Sequence, residues 1–297
     1  MDAAPALTPE RVLRRLEWHV IRRLDGRLQG DYRTLIRGQG TDFRDLREYE
    51  PGDDVRHVDW NVSARMDALY VREYTEDREV TAWLLLDRSP SMGFGPVDRT
   101  KERLLWEFTT TIARLLIRNG NRVGALVDDN QAVRTIRPRQ GRDQVLLLLR
   151  DLLGPVEPTG TVTDLSRLLE RAARVIKRRS LVVLVSDFIS EPGWEKPLAR
   201  LTARHEVVAV RLFDPREYEL PDAGLIAVQD AETGEQLMVD SSDPEFRRRL
   251  RQAGEERAMA VRDATRRAGV DLHVISTDDD LVDAFVKIVE SRKQRTR

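Results

Sequence analysis

The sequence contains no cysteine, and this absence excludes disulfide bonds, thiolate zinc sites, iron–sulfur clusters and cysteine nucleophiles. No apolar run approaches the roughly 18 to 20 residues that a membrane-spanning helix needs. The N-terminal segment Met1 to Glu10 has no basic region followed by an apolar core, so we expect no secretory signal peptide. Together these absences favour a cytoplasmic protein.

Lysine is scarce, and the charges of the chain nearly cancel. Only 5 of the 50 basic residues are lysine, a bias that we attribute to a GC-rich genome. The formal net charge of −1 argues against a general binder of nucleic acid or acidic membranes. Hydrophobic residues make up 40% of the chain, which is enough to form a buried core.

From about residue 76 onward, short apolar runs alternate with segments of helical apolar periodicity. The apolar runs predict strands at 80–86, 123–127, 132–136, 181–185, 206–212 and 270–275. The periodic segments predict helices at 100–117, 140–153, 164–177, 194–203, 243–267 and 280–291, and residues 225–239 predict a hairpin. This alternation is typical of a doubly wound α/β fold, in which helices cover both faces of a mostly parallel sheet.

The first 75 residues have a different pattern. Thr8, Pro9 and the apolar stripe that follows them predict an amphipathic helix over 9–28. Residues 31–67 are rich in Gly, Asp and Arg with singly spaced aromatic residues, and they predict short strands and turns packed on a larger body. We therefore divide the chain into a helix and β-rich region at 1–75 and an α/β domain at 76–297.

Oxygen-bearing side chains follow the predicted central strands at the point where each strand ends. Asp87, Ser89 and Ser91 follow one strand, Asp187 follows another, and the loop 160–164 precedes a helix. Because ligands of open α/β sheets bind at the carboxyl ends of the strands, we expect these side chains to converge. A set of oxygen ligands without His or Cys suits Mg²⁺, Mn²⁺ or Ca²⁺ and does not suit copper or zinc.

Two motifs carry a resemblance to known families. Asp87-x-Ser89-x-Ser91, with a later threonine and a later aspartate, resembles the metal-ion-dependent adhesion site of von Willebrand factor A domains. Upstream stand Gly38-x-Gly40-x-Asp42-Phe43 and Arg47-x-Tyr49-x-x-Gly52-Asp53-Asp54-x-Arg56-x-Val58-Asp59-Trp60-x-x-Ser63-Ala64-Arg65. This stretch resembles the signature of the bacterial domain-of-unknown-function family 58, whose members carry an A-type domain directly after it. The combined resemblance covers about residues 30–190 closely and implies a von Willebrand factor A-like, Rossmann-type domain.

The resemblance also implies a role for each candidate site residue. The cation would be Mg²⁺, with Mn²⁺ or Ca²⁺ as alternatives. Ser89 and Ser91 would bind it directly through their hydroxyls, and Asp87 and Asp187 would hold it largely through bound waters. The family's loop threonine corresponds to Thr163, which precedes an Asp-Leu pair, and Thr161 is the competing choice. The remaining coordination position would accept an acidic side chain from a partner protein, because two neutral hydroxyls leave the cation under-neutralised.

The family resemblance suggests a partner as well as a ligand. The family's genes typically lie beside those for MoxR-type AAA+ ATPases, so the resemblance implies an adaptor or co-chaperone that links such an ATPase to client proteins. Many family members carry membrane helices before the signature, and this sequence shows none there. It therefore resembles the soluble branch of the family.

A second hypothesis is a Mg²⁺-dependent phosphoester hydrolase in which Asp87 and Asp187 orient a water molecule. The shortage of acids argues against it, since Asp164 is the only obvious third carboxylate. The sequence also contains neither a P-loop nor the Gly-x-Ser-x-Gly turn of serine hydrolases. Asp87 and the two serines also fit an ordinary turn after a strand. We favour a metal-dependent binding module that is not an enzyme.

The charged residues of the signature allow two interpretations. Arginine and acidic residues alternate there, and we interpret them as a salt-bridged surface that Tyr49 and Trp60 anchor to the A-type domain. The alternative is a docking surface for a partner, since aromatic residues and arginine are also enriched at interfaces.

Overall fold

The computed structural model describes residues 8–28, 43–51, 53–55, 58–66, 68–74, 80–96, 99–156 and 160–294. The chain divides into two compact units. One combines Met1–Leu35 with Thr81–Arg297, and the other is Ile36–Val80. We call them the sheet unit and the signature unit.

From residue 81 onward, the helices and strands follow each other in the order that the sequence predicts for an α/β protein. The strands are β1 (Phe43–Glu48), β2 (Tyr70–Tyr74), β3 (Thr81–Asp87), β4 (Arg122–Asp128), β5 (Val133–Arg139), β6 (Leu181–Ser186), β7 (Glu206–Phe213), β8 (Leu225–Gln229), β9 (Gln236–Asp240) and β10 (Asp271–Ser276). The α-helices are α1 (Pro9–Leu16), α2 (Arg22–Leu28), α3 (Trp60–Met66), α4 (Lys101–Arg118), α5 (Arg142–Leu152), α6 (Leu165–Val175), α7 (Glu195–Thr202), α8 (Pro244–Arg267) and α9 (Leu281–Gln294).

Six of these strands form the central sheet in the order β10-β7-β6-β3-β4-β5. All neighbours pair in parallel except β4 and β5, which form an antiparallel edge. The central strands β3 and β6 read as nearly continuous apolar runs because both of their faces are covered. The prediction of a doubly wound, mostly parallel α/β fold is confirmed.

Alternate residues of each strand pack against helices on opposite faces of the sheet. Val182 and Leu184 join a cluster with the apolar sides of α6 and α7 and with part of α8. Leu181 and Val183 lie with the residues of α4 and α9 around Phe108. There the ring of Phe108 stacks on the ring of Phe285, with 4.8 Å between centroids.

The N-terminal helix is part of the sheet unit. It runs from Pro9 to Leu28 as α1 and α2 with one π-helical turn between them, over the residues that the sequence predicts. Its apolar stripe packs near α4, α5 and α9. Two ion pairs fix it on α4: Arg114 with Glu17 at 2.9 Å and Arg118 with Asp25 at 2.7 Å. The sequence-based division instead places this helix with the signature region in residues 1–75.

The signature unit contains one element that the sequence analysis does not predict. Its strands β1 and β2 pair antiparallel, as expected for a β-rich region. Between them lies α3, whose first backbone N–H groups, at Asn61 and Val62, donate to Asp59 Oδ1 at 3.1 and 3.2 Å. An aspartate in this capping position before seven residues without Gly or Pro is a helix signal that the turn-rich surroundings obscure.

The predicted salt-bridged character of the signature unit is visible at Arg47, which donates two hydrogen bonds to Asp53 at 2.6 and 2.7 Å. These bonds hold the pKa of Asp53 below its ordinary value. Trp60 leaves 66% of its surface exposed, and its role as an anchor stays a prediction. Among all described residues, no helix has both the length and the apolarity that crossing a bilayer requires.

Candidate metal site

The ends of β3 and β6 are joined through the carboxylate of Asp87. Asp87 is the last residue of β3, and its Oδ2 accepts a hydrogen bond of 2.6 Å from the hydroxyl of Ser186, the last residue of β6. Its Oδ1 accepts the backbone N–H of Ser89 at 2.9 Å. Parallel pairing of the two strands therefore brings the two chain segments together at one edge, as the sequence predicts.

Ser89 and Ser91 present their hydroxyls side by side in the turn that follows β3. Their Oγ atoms are 3.0 Å apart, and both residues are buried. A short 3-10 helix, Pro90–Gly93, follows Ser89 directly and contains Ser91. Two hydroxyls at this separation supply neutral oxygen donors of the kind that Mg²⁺ accepts.

Thr163 faces the same region from the loop before α6. It is buried, and its hydroxyl donates to the carboxylate of Glu232 at 3.0 Å. The same carboxylate oxygen lies 3.3 Å from the backbone nitrogen of Ser91. Thr161 is exposed, and its carbonyl oxygen accepts a hydrogen bond from Asn130. The packing thus favours Thr163 over Thr161 as the loop donor, although the assignment stays a prediction.

Asp187 is fully buried next to a cation from another part of the chain. Its Oδ2 accepts a hydrogen bond of 2.6 Å from Lys101 Nζ, and its Oδ1 accepts the backbone N–H of Ile189 at 2.9 Å. Lys101 also pairs with Glu217, so one buried ammonium lies between two carboxylates. Burial alone would lower the pKa of Lys101, but the negative charges of Asp187 and Glu217 raise it above its ordinary value.

The negative charge of the site is only partly compensated. Burial, and then the charge of Asp187, raise the pKa of Asp87 to about 7. Burial also raises the pKa of Glu217 and of Glu232. The single ammonium of Lys101 is shared by Asp187 and Glu217, so it does not balance the charges of Asp87 and Glu232 as well. A divalent cation would supply the balancing charge.

The donor set fits a hard cation of the Mg²⁺ type. It consists of the hydroxyls of Ser89, Ser91 and Thr163 and the carboxylates of Asp87 and Asp187. Within the described ranges no group of three or more His, Asp or Glu side chains is arranged to hold a metal ion. The hydroxyls are therefore the donors that distinguish this site from a cage of carboxylates.

Asp164, the third acid of the hydrolase hypothesis, has a different role. It is the N-cap of α6, and its Oδ1 accepts the backbone N–H of Ser166 at 2.9 Å. This is the ordinary use of an aspartate before a helix. Asp164 therefore serves as a helix cap, which does not support its use as the third carboxylate of that hypothesis.

Three residues of the site escape the sequence analysis: Lys101, Glu217 and Glu232. Each lies outside the motifs, in a segment that only the folding of the chain brings next to the motif residues. A signal existed for Lys101, since a chain that uses arginine almost throughout keeps a lysine at the start of α4. Glu217 and Glu232 have no comparable local signal, because both stand in turns rich in charged residues.

Comparison with known proteins gives matches at the level of family and fold. A model of the family described as "Protein of unknown function DUF58" matches residues 45–260. The uncharacterized protein Rv1480 of Mycobacterium tuberculosis is 38% identical over 283 residues, which cover 95% of this chain and 89% of that protein. Among solved structures, the conserved hypothetical protein BatB of Bacteroides thetaiotaomicron is 13% identical with a TM-score of 0.45, covering 73% of this chain and 100% of that chain. The SpRpn10 VWA domain is also 13% identical, with a TM-score of 0.40, covering 71% of this chain and 95% of that chain.

Proposed function

Since the chain belongs to the DUF58 family, we propose that it is a protein-binding module that captures an acidic side chain of a partner through a metal ion. The observation that carries this proposal is the convergence of paired hydroxyls and buried carboxylates at the ends of β3 and β6. Because Lys101 already offsets the charge of Asp187, this set would leave a divalent cation only partly neutralised, which favours an additional negative ligand.

Each residue has a distinct part in this module. Ser89, Ser91 and Thr163 would donate neutral oxygens to the ion, and Asp87 and Asp187 would balance its charge. The ion, when bound, supplies a positive centre for an incoming carboxylate. The protein contributes the rigidity: Asp87 is held by Ser186 and by its own turn, so its carboxylate is oriented before any ion arrives.

The proposed partner system is a MoxR-type AAA+ ATPase, for which the chain would be an adaptor or co-chaperone that presents clients. The proposal of this partner is supported by the resemblance of the signature to family 58, whose genes typically lie beside those for MoxR-type ATPases. We propose binding without catalysis, because Lys101 already pairs with Asp187 and Asp164 caps a helix. Neither carboxylate is then placed to activate water.

The test is a pull-down from a lysate of the source organism with the full chain as bait, in Mg²⁺ and in EDTA. The variants are Asp87→Ala and the matched control Asp222→Ala, which removes an exposed loop aspartate. We expect wild type and Asp222→Ala to retain a MoxR-type ATPase or a common client in Mg²⁺ only. We expect Asp87→Ala to lose that protein while keeping the far-UV circular dichroism of wild type.

Two outcomes would contradict the proposal. Capture that is equal in Mg²⁺ and EDTA would show that the ion is not the contact. Phosphoesterase turnover that disappears in Asp187→Ala would replace the binding module with the hydrolase hypothesis.

A further inference from the structure

A buried glutamate stands at the tip of an otherwise exposed hairpin. Strands β8 and β9 leave large apolar side chains in solvent, with Leu225 at 72% and Met238 at 63% exposure. Glu232, in the turn between these strands, is only 6% exposed. Charged residues are rarely buried without a compensating partner, so this inversion of the usual pattern requires a cause.

The contacts of Glu232 lead into the metal site. Its Oε1 accepts the Thr163 hydroxyl at 3.0 Å and lies 3.3 Å from the Ser91 nitrogen, and its Oε2 accepts Asn130 Nδ2 at 3.2 Å. These partners are a hydroxyl, a backbone amide and a carboxamide, all of them neutral. Two of them belong to residues that we assign to the cation. The carboxylate of Glu232 is therefore beside the proposed ion and has no full positive charge among these partners.

The turn is built to hold Glu232 in this position. Asp230 Oδ1 accepts the backbone N–H groups of Glu232 and Thr233 at 2.9 and 2.7 Å. The backbone closes the turn through Asp230 N to Glu235 O at 2.8 Å and Gly234 N to Asp230 O at 2.9 Å. An Asx turn of this kind fixes the backbone at Glu232, and the contacts of its carboxylate with Thr163 and Asn130 hold the side chain.

We propose that Glu232 is an intramolecular carboxylate ligand of the metal site and holds the position that a partner's acidic side chain takes. The inference rests on the proposed function, in which one coordination position of the cation is left for a partner's carboxylate. Glu232 would fill that position when no partner is bound. Capture of a partner then requires the tip of the β8–β9 hairpin to leave the site. The hairpin is suited to this movement, since exposed strands bury little apolar surface that would oppose it.

A purely structural tether makes a different prediction. A tether would need only the three hydrogen bonds, and a neutral glutamine could keep an acceptor for Thr163. A metal ligand needs the negative charge, because the affinity of oxygen sites for divalent cations depends on the number of charged ligands. Glu232→Gln, which keeps the shape and removes the charge, therefore separates the two roles.

The experiment titrates the full chain with Mn²⁺ alone and follows the relaxation rate of water protons, which reports both binding and the number of waters on the bound ion. The variants are Glu232→Gln, Glu232→Asp, Asp87→Ala and the control Glu235→Gln, an exposed glutamate of the same turn. A second titration adds acetate as a soluble carboxylate. Thermal unfolding of each variant without metal verifies that it is folded.

We expect Glu232→Gln to weaken Mn²⁺ binding by about tenfold, in line with the loss of one charged ligand. We also expect a higher relaxation rate per bound ion, because a water replaces the carboxylate. Acetate should then restore affinity and lower the relaxation rate in Glu232→Gln but not in wild type. Glu232→Asp should fall between the two, and Glu235→Gln should match wild type.

The outcomes separate this inference from the proposed function. Mn²⁺ binding that depends on Asp87 but is the same in Glu232→Gln and wild type would overturn the inference and leave the metal site intact. Mn²⁺ binding that is equal in Asp87→Ala and wild type, or that is undetectable in both, would overturn the metal site and with it the inference.

Discussion

Lys101 shows how one residue can determine the charge balance of a buried site. Its ammonium is completely buried between Asp187 and Glu217. A buried ion pair that loses one partner leaves an uncompensated charge in a medium of low polarity, which costs far more than the pair itself contributes. Lys101 is thus the cation that the protein itself places beside the candidate metal site.

We expect Lys101→Met to lower the free energy of unfolding by about 3 to 5 kcal/mol, because it leaves two carboxylates without their shared cation. The double variant Lys101→Met/Glu217→Gln should lose less of its free energy of unfolding than the single variant, since only Asp187 is then left without the ammonium. Urea unfolding monitored by circular dichroism measures both. Lys177→Met, which removes an exposed lysine, is the control and should change stability by less than about 0.5 kcal/mol. A double variant less stable than Lys101→Met would contradict this account.

The sequence predicts which residues of one motif lie together, but it does not predict the partners that come from distant segments. The Asp-x-Ser-x-Ser spacing and the strand-end rule place Asp87, Ser89 and Ser91 together without coordinates. Lys101 and Glu232 reach the same place from α4 and from the β8–β9 turn. No local spacing relates these positions, so only the three-dimensional packing shows that they share one site.

At the scale of elements, a single glycine lets α8 pack closely against Tyr218. Gly254 lies inside this long helix, where glycine is ordinarily unfavourable. A Cβ at position 254 would lie 1.7 Å from Cδ1 of Tyr218. The hydroxyl of Tyr218 accepts a hydrogen bond of 2.6 Å from Arg211, whose Nε donates to the carbonyl oxygen of Asp187. The glycine thus lets α8 pack against Tyr218, whose hydrogen bonds lead through Arg211 to Asp187 of the candidate metal site.

We expect Gly254→Ala to destabilise the sheet unit by about 1 to 3 kcal/mol, the usual cost of overpacking, despite the higher helix propensity of alanine. Gly26→Ala is the matched control, because Gly26 is exposed within α2 and a Cβ there meets nothing within 4 Å. That control should gain about 0.5 to 1 kcal/mol from propensity alone. Denaturant unfolding measures both variants, and changes of opposite sign in their free energies of unfolding would support the packing argument. A stabilising Gly254→Ala would mean that Tyr218 moves aside freely.

The elements that the sequence predicts correctly are those with a clear period or a continuous apolar run. The β3 and β6 runs and the stripe of α1 and α2 are of this kind. The helix α3 is the exception: it has seven residues and a capping aspartate, and it lies in a region dense in charge and turn residues. Short helices are stabilised mainly by tertiary packing, so their own sequence carries a weak signal.

At the scale of the whole molecule, the sheet unit is formed by two separate stretches of the chain, and the N-terminal helix belongs to the first of them. Leu13 and Leu24 are completely buried, and the helices that carry them pack near α4, α5 and α9, far along the chain. Because the signature unit separates them from β3 in sequence, the sheet unit is discontinuous. Folding of this unit therefore requires contacts across a long stretch of chain, which slows folding more than it weakens the folded state.

We expect Leu13→Ala to lower the free energy of unfolding of the sheet unit by about 2 to 5 kcal/mol, as for other fully buried leucines. Because the helix packs on α4, α5 and α9, its loss should shift the same cooperative transition that reports the central sheet. The control Arg11→Ala, on the exposed side of α1, should stay within about 0.5 kcal/mol of wild type. Hydrogen exchange of β3 and β6 amides, measured beside far-UV circular dichroism, tests the coupling. A helix that unfolds in Leu13→Ala while the exchange of β3 and β6 stays unchanged would show that it is an accessory to the sheet unit rather than part of its core.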